Sequence, residues 1–244
     1  LRVRPSAGGG RAVLYILPAY LNEVRLFEAD PADPHGWKSR VTGSDRPFAE
    51  RDRPRASLGF VVTPAAPETT YYLRFETSGQ PQLNVKALTP QEADDRDRAR
   101  DLAMTFFATA MLALLVWALE GYLLERQRIF GFFAFHQAVY LLFGLWATGH
   151  LAFALDALFG PLPPFGGFPL LYLGLGFAPL LFCRELFRPY APSLWLMRGI
   201  DALLCATPVE LALLAFGRAD LAYALNALVI KLSWALFVAI VFTL

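Results

Sequence analysis

The sequence lacks an excess of charge of either sign. It has 22 Lys and Arg residues against 21 Asp and Glu residues, so its formal net charge is only +1. Domains that bind nucleic acids carry a basic patch or a recognisable motif, and this chain has neither a basic run nor a zinc-type Cys/His spacing. We therefore expect no nucleic-acid partner.

Cysteine is also scarce, with only Cys183 and Cys205. Both lie in apolar segments, and we interpret them as small buried hydrophobic residues. They do not form the kind of cysteine framework that marks many small secreted domains. The compartment of each part of the chain must therefore be inferred from membrane topology.

Catalytic motifs are missing as well. The sequence contains no Gly-x-Ser-x-Gly, no His-Glu-x-x-His and no paired-Asp motif, which are the local patterns expected of serine hydrolases, zinc proteases and intramembrane proteases. For this stretch of chain we predict no catalytic residue, no metal site and no cofactor. The full-length protein could still contain an enzymatic domain beyond this stretch.

Long apolar runs, in contrast, are abundant after residue 100. Of the 43 charged residues, 28 lie in the first 100 positions, and residues 102–119 contain no charge, Pro or Gly. A helix of about 20 apolar residues crosses the hydrocarbon core of a bilayer. We predict an α-helical transmembrane bundle after an outer domain of residues 1–95, with spans near 102–124, 130–153, 168–183, 195–217 and 221–244.

The arginines in the short loops orient these spans. One set of loops carries five arginines, whereas the opposite set carries only Arg218, together with Asp156 and Asp220. The five are Arg126, Arg128, Arg184, Arg188 and Arg198. Because cytoplasmic loops are enriched in Lys and Arg, we place this set inside, and residues 1–100 outside. The Pro- and Gly-rich segment 160–167 is predicted to be an outer turn.

Two charged residues fall within the predicted spans. Glu210 and Lys231 lie at similar predicted depths on adjacent antiparallel helices, and charges at membrane depth are costly without a partner. We hypothesise a Glu210–Lys231 pair, which would serve either as a packing and register device or as a polar switch. His136 and His150 share one side of the second span, and we favour polar packing for them over a haem or metal site.

The outer domain shows the pattern of a β-sandwich. Short runs rich in Val, Leu, Tyr and Phe are separated by turn-forming clusters, and such spacing is typical of an all-β sandwich. In "YYLRFE" the residues Tyr71, Leu73 and Phe75 alternate strictly with Tyr72, Arg74 and Glu76. The predicted strands cover residues 12–21, 23–29, 56–63, 69–77 and 82–88.

The segment 33–55 is highly charged, and we predict that it is a mobile or ligand-facing loop. It contains Trp37, the only Trp before residue 117, together with Lys38, Arg40 and Arg46. Cations around an indole suit an aromatic or anionic ligand, and exposed aromatic rings with charged neighbours suit a carbohydrate. The alternative is a Trp packed onto the sandwich.

The order of "LNEVRLF", "TGSDRPFAERDRPRASLGF" and "TTYYLRFETSGQPQLNVKAL", leading into a membrane helix, resembles the bacterial seven-transmembrane receptors with diverse intracellular signalling modules (7TMR-DISM). This resemblance implies a periplasmic jelly-roll sensor related to carbohydrate-binding modules, seven helices, and a cytoplasmic output domain such as a diguanylate cyclase, a histidine kinase or a phosphatase. On this basis we expect the chain to be an excerpt that lacks the first strand of the sandwich and spans six and seven. No catalytic residue carries over.

The predicted function is that of a multi-pass receptor in the bacterial inner membrane. It would detect a periplasmic small molecule of carbohydrate type and relay the signal to a cytoplasmic signalling domain in the same chain, and by family analogy it would act as a homodimer. The alternative is a transporter or channel with a periplasmic accessory domain. Transporters use paired interrupted helices and a polar midplane pathway, and here only Pro179 and Pro208 interrupt spans.

Overall fold

A computed structural model of the chain describes residues 1–4, 10–30, 36–44, 46–47, 50–64, 68–77, 83–159, 168–190 and 193–243. It divides into two compact units. The first unit combines Leu1–Thr105 with Leu145–Phe165, and the second combines Phe106–Gly144 with Gly166–Leu244. The first unit therefore contains the β-domain, the start of the first long helix, and one later helical segment.

The described residues before Pro90 form eight β-strands, and all the pairs between them are antiparallel. Two sheets have three strands each, in the orders β5-β2-β8 and β4-β3-β7, and a small ribbon pairs β1 with β6. The strands are β1 (Arg2–Val3), β2 (Ala12–Leu17), β3 (Glu23–Ala29), β4 (Trp37–Thr42), β5 (Leu58–Val62), β6 (Thr69–Thr70), β7 (Tyr72–Glu76) and β8 (Asn84–Leu88).

A single hydrophobic core joins residues of the two three-stranded sheets. Leu14 and Phe60 come from the β5-β2-β8 sheet, Val24 and Leu26 come from β3 in the other sheet, and all four are fully buried. Two antiparallel sheets around a shared core are a β-sandwich. The predicted fold class, an all-β sandwich followed by a helical bundle, is confirmed. The alternation at residues 71–76 is also confirmed, since Tyr71 is 1% exposed and Tyr72 is 56% exposed.

Strand β4 lies within the segment that we predicted to be a loop. It pairs with β3 in a continuous register from Val24↔Thr42 to Ala29↔Trp37. We predicted a loop because the segment is highly charged. In the structure, however, Arg40 of β4 forms ion pairs with Glu28 and Asp52. The charge of residues 37–42 was therefore a poor guide to their backbone structure.

The rest of the described chain is helical. The helices are α1 (Pro90–Glu125), α2 (Arg128–Ala147), α3 (His150–Phe159), α4 (Phe168–Phe187), α5 (Leu194–Leu204), α6 (Ala206–Ala215) and α7 (Ala219–Thr243), with a 3₁₀ turn at Arg188–Tyr190. Among the described residues, four helical stretches are long and apolar enough to cross a membrane: Pro90–Glu125, Arg128–Ala147, Pro169–Tyr190 and Ala219–Thr243. The predicted outer turn at 160–167 lies outside the described residues.

Helix α1 begins at Pro90, well before the predicted start near residue 102. A capping box sets this start: the Glu92 amide donates to Thr89 Oγ1 (3.2 Å), and the Thr89 amide donates to Glu92 Oε2 (2.9 Å). The hydrogen bond from the Thr89 backbone lowers the pKa of the Glu92 carboxyl. Because β8 ends at Leu88, the sandwich continues into the membrane helix without a flexible linker.

Two predicted spans are interrupted in the structure. The span predicted at 195–217 is divided between α5 and α6 at Cys205, because Pro208 has no amide to donate to the carbonyl of Leu204 and its ring crowds that carbonyl. Cys205 is exposed rather than buried, and Cys183 is half-buried. The span predicted at 130–153 ends as α2 at Ala147, and Gly149 adopts a positive φ of +82° before α3.

Candidate functional site

Strand register places three aromatic side chains on the outward face of the β4-β3-β7 sheet. Phe27 on β3 is paired with Tyr72 on β7, and Trp37 on β4 is paired with Ala29. Residues paired directly across antiparallel strands project to the same face. Trp37 is 43% exposed and Tyr72 is 56% exposed, and their rings meet edge-on with centroids 5.3 Å apart. The result is a solvent-facing aromatic platform.

Charged side chains continue the same face along β3 and β7. Arg25 is paired with Arg74, and Glu23 is paired with Glu76. Within each strand an arginine and a glutamate are joined, by Arg25 Nη2 to Glu23 Oε1 (3.0 Å) and by Arg74 Nη2 to Glu76 Oε1 (2.6 Å). The Arg25 hydrogen bond lowers the pKa of Glu23, so this carboxylate is an acceptor at neutral pH. Next to the platform, the face thus offers donors and acceptors side by side.

The four residues that we proposed as ligand contacts do not form one cluster. Trp37 lies on the platform, and Arg46 reaches the charged part of the same face through Glu23 (3.6 Å). Lys38 and Arg40 occupy the alternate positions of β4 and project to the other side of the strand. The guanidinium of Arg40 lies 5.7 Å from the centre of the Phe60 ring. The structure therefore does not surround the Trp37 indole with the predicted cations. Its neighbours on this face are the aromatic side chains of Phe27 and Tyr72.

Sequence reasoning missed Phe27, Tyr72, Arg25 and Arg74 as members of this face. The alternation at residues 71–76 already placed Tyr72 and Arg74 on one side of their strand. The missing information was that β7 pairs with β3, a strand more than forty residues away in the chain. Such non-local pairing is not encoded in any short motif.

The opposite sheet of the sandwich is covered by the start of α1. Val13 and Tyr15 project from the outer face of β2 and form a buried cluster with Ala93 of α1. Helix α1 therefore packs on one sheet of the sandwich, while the face that carries Trp37 and Tyr72 stays open to solvent.

A buried ionic network fastens this helix to the sandwich. Arg53 Nη2 donates to Asp97 Oδ2 (2.8 Å) and to Asp94 Oδ1 (2.9 Å), and Ser57 Oγ donates to Asp97 Oδ1 (2.7 Å). The side chains of Arg53 and Asp97 are only 8% and 6% exposed. Burial raises the pKa of Tyr15, and the nearby Asp97 carboxylate raises it further. We call Arg53, Ser57, Asp94 and Asp97 the junction network.

The same unit also joins α1 to the segment between α2 and α3. His150 Nε2 lies 3.0 Å from Asp101 Oδ1, and Arg100 Nη2 donates to the carbonyl of Thr148 (3.0 Å). Trp146 stacks on Tyr20 of the sandwich with ring centroids 5.6 Å apart. A side chain at Gly149 would place its Cβ 2.5 Å from the carbonyl oxygen of Ala56. Sandwich, α1 and this helical turn therefore form one packed junction.

The structure does not bring Glu210 and Lys231 together. Glu210 is 1% exposed, whereas Lys231 lies on the exposed side of α7, and within the described residues no ion pair joins them. The buried face of α7 is formed by Ala222, Tyr223, Asn226, Val229, Ser233 and Ile240, which excludes Lys231. Lys231 is also about seven residues farther from the Gly217 turn than Glu210, or roughly 10 Å in depth at 1.5 Å per residue.

The two histidines have separate environments. His136 stacks against Phe182, with ring centroids 5.9 Å apart, and lies near Tyr140. His150 lies beyond the break at Gly149, where its Nδ1 is 2.9 Å from Thr148 Oγ1. In the described part of the chain, no group of three or more His, Cys, Asp or Glu side chains is arranged to hold a metal ion.

One comparison with known proteins is informative. Residues 1–89 match the family model described as 7TMR-DISM extracellular 2. No curated protein and no solved structure matches the chain. The matched residues are those that form the sandwich and end where α1 begins.

Proposed function

We propose, from the premise that residues 1–89 of this chain are an extracellular domain of the 7TMR-DISM family, that the outward face of the β4-β3-β7 sheet detects a small molecule. An extracellular sensor domain followed by helices of membrane length is the architecture of a multi-pass membrane receptor. The ligand proposed here is a carbohydrate. The signal is passed through the helices to a cytoplasmic output domain of the same protein, in a homodimer in the bacterial inner membrane.

The observation that carries this proposal is the contrast between the two outer faces of the sandwich. One is covered by α1 and fastened through the junction network. The other exposes Trp37 and Tyr72 in edge-to-face contact. Exposed aromatic side chains on a rigid sheet are costly for solubility and are typical of a binding surface.

The chemistry of this face suits a sugar. The apolar C–H face of a pyranose ring packs on aromatic rings such as those of Trp37 and Tyr72. Vicinal hydroxyl groups require donors and acceptors close together, and the Arg25–Glu23 and Arg74–Glu76 pairs supply both. A neutral or weakly acidic oligosaccharide fits this balance of charges better than a strongly anionic ligand does.

Relay requires two arrangements of the receptor that bind the ligand differently. Strand β3 is central in the ligand-binding sheet, and its inward residues Val24 and Leu26 share the core with Leu14 and Ile16 of β2. The outer residues of β2 pack on α1. A shift of β3 on ligand binding is therefore transmitted through one layer of core side chains to the membrane helix.

The test is oligosaccharide binding by the full natural chain in lipid nanodiscs, applied to a panel of neutral and acidic oligosaccharides. We expect binding to a subset of the panel, and a loss of affinity of about 30-fold in Trp37→Ala, as for truncation of an aromatic hot spot. Tyr72→Ala should behave similarly. Lys38→Ala is the matched control, because it changes the next residue of β4 on the other side of the strand, and it should bind as the wild type does.

Absence of any oligosaccharide binding, or an equal loss in Trp37→Ala and Lys38→Ala, would contradict the proposed site. The transporter alternative makes a different prediction. It requires oligosaccharide flux into proteoliposomes, whereas a receptor binds the same sugar without moving it across the bilayer.

A further inference from the structure

A cavity lies between α1, α2 and α4, within the second compact unit of the structure. It encloses about 390 Å³ and opens on the side of the helices. Its walls are apolar and aromatic, formed by Tyr122 of α1, Gly131, Phe132 and Phe135 of α2, and Phe177 and Leu181 of α4. At one end stands a single cation, Arg128, the first residue of α2. We call this cavity the inner groove.

The walls of the inner groove are held by close packing. A Cβ at Gly131 would lie 3.2 Å from Tyr122 Cδ2, so glycine lets α2 approach the Tyr122 ring. Phe135 and Phe177 meet edge-on with ring centroids 6.4 Å apart. Phe135 nevertheless remains 43% exposed at the side of the helices, where lipid chains lie in a membrane. The groove is thus a defined cleft that faces the bilayer.

Its depth in the membrane follows from the chain path. Helix α1 leaves the extracellular domain at Pro90 and ends at Glu125, so the turn at residues 126–127 is on the cytoplasmic side. Arg128 therefore stands at the level of the inner headgroups, while Phe135 lies about 10 Å deeper at 1.5 Å per residue. The polar end and the apolar walls match the two parts of a phospholipid.

The charges around the turn leave Arg128 available to an anion. In the turn before Arg128, the Glu125 carboxylate accepts a hydrogen bond from Gln127 Nε2 (2.9 Å). Within the described residues Arg128 forms no ion pair, whereas Arg184 is held by Asp201 (2.6 Å) and Arg188 by Glu185 (3.6 Å). Arg126 belongs to the same turn but does not line the inner groove.

We propose that the inner groove binds an anionic phospholipid of the cytoplasmic leaflet, with Arg128 on its phosphate and an acyl chain along Phe132, Phe135 and Leu181. Basic pockets between transmembrane helices on the cytoplasmic side recognise anionic headgroups. A guanidinium binds phosphate through two parallel hydrogen bonds. The aromatic walls supply the apolar contact that a free phosphate ion lacks.

The experiment is native mass spectrometry of the full natural chain in detergent, titrated with phosphatidylglycerol or phosphatidylcholine. We expect one phosphatidylglycerol to be retained in preference to phosphatidylcholine, and Arg128→Gln to weaken its retention about tenfold, as for loss of a hydrogen-bonded charge. Arg126→Gln is the matched control: it removes the same charge two residues away and should retain the lipid. Arg128→Lys should restore part of the binding.

Several outcomes would overturn the proposal. Equal retention of phosphatidylglycerol by Arg128→Gln and Arg126→Gln would place the lipid elsewhere. Equal retention of the two phospholipids by the wild type would remove the role of the charge. Displacement of the lipid by millimolar inorganic phosphate would assign the site to free phosphate. Circular dichroism of each variant shows whether its helices are intact, and Phe135→Ala, which keeps Arg128, tests the acyl-chain wall independently.

Discussion

Replacement of Asp97 by alanine is expected to lower the free energy of unfolding of the sandwich by about 3–5 kcal/mol, the usual effect of removing one partner of a buried ion pair. Asp97 is 6% exposed, receives hydrogen bonds from Arg53 and Ser57, and is contributed by α1 rather than by a strand. Its loss leaves the Arg53 guanidinium buried beside fewer acceptors. Hydrogen exchange at the β2 and β5 amides of the full chain in nanodiscs measures this change.

Asp94→Ala is the matched control for this prediction. Asp94 is also bound to Arg53, at 2.9 Å, but its side chain is 46% exposed. Exposed ion pairs contribute about 0–1 kcal/mol, so Asp94→Ala should leave exchange in β2 and β5 nearly unchanged. If Asp97→Ala also left exchange in β2 and β5 unchanged, the junction network would not hold α1 on the sandwich. The apolar double variant Arg53→Met with Asp97→Leu should recover much of the lost stability, because it leaves no buried charge behind.

The second large effect is expected at Glu210. Replacing it with lysine should prevent stable packing of α6 against its neighbouring helices, because Glu210 is 1% exposed and a buried charge without a partner is costly. Lys231→Gln should be close to the wild type, because Lys231 lies on the exposed side of α7. Thermal unfolding of the purified chain in detergent, followed by circular dichroism at helical wavelengths, measures both.

The charge exchange distinguishes this arrangement from an ion pair. If Glu210 and Lys231 were partners, Glu210→Lys together with Lys231→Glu would restore stability. The structure predicts no rescue, because the buried and exposed positions do not face each other and differ in depth by roughly 10 Å. Recovery of wild-type unfolding by the double exchange would show that the two charges meet in the membrane.

The alternation of side chains could be read from the sequence wherever a strand has one buried face. Tyr71 and Tyr72 are adjacent and chemically identical, and the pattern separated the buried ring from the exposed one correctly. Residues 37–42 have no such pattern, since their exposure falls steadily along the strand instead of alternating. Their charges favoured a loop, because the ion pairs of Arg40 with Glu28 and Asp52 are known only once β4 is placed beside β3. The charge of a side chain therefore indicates its exposure to solvent only when its ion-pair partners are known.

The sequence predicted which segments are apolar enough to span a membrane, but not where the helices begin and where they are interrupted. The apolar run after residue 101 predicted the membrane-spanning part of α1. The helix itself starts earlier, at a capping box of Thr89 and Glu92 that we did not predict because the residues before the apolar run are charged. Pro208 was visible as an interruption, and the division into α5 and α6 follows from it. The structure places Glu210 on a buried and Lys231 on an exposed side of their helices. A depth estimate along two helices contains no information about which way each side chain points.

The neighbours of Trp37 could not be predicted from the sequence, because they also depend on side-chain direction. Trp37 stood out as an isolated Trp among cations, but its actual neighbour is Tyr72, more than thirty positions later. Sequence proximity selected Lys38 and Arg40, which project to the other side of β4. The register of β3 with β4 and β7 decides the composition of this face, and register depends on contacts across the whole domain.

Hydrogen exchange of the full natural chain in nanodiscs, with and without a bound oligosaccharide, tests the central claim most directly. The claim is that binding on the β4-β3-β7 face is passed through the sandwich core to the junction of α1 with residues 145–156. The ligand should therefore change exchange at residues 90–101 and 145–156 as well as at β3, β4 and β7, and Trp37→Ala should abolish every one of these changes. A bound sugar that protects only β3, β4 and β7 and leaves the junction unchanged would contradict it.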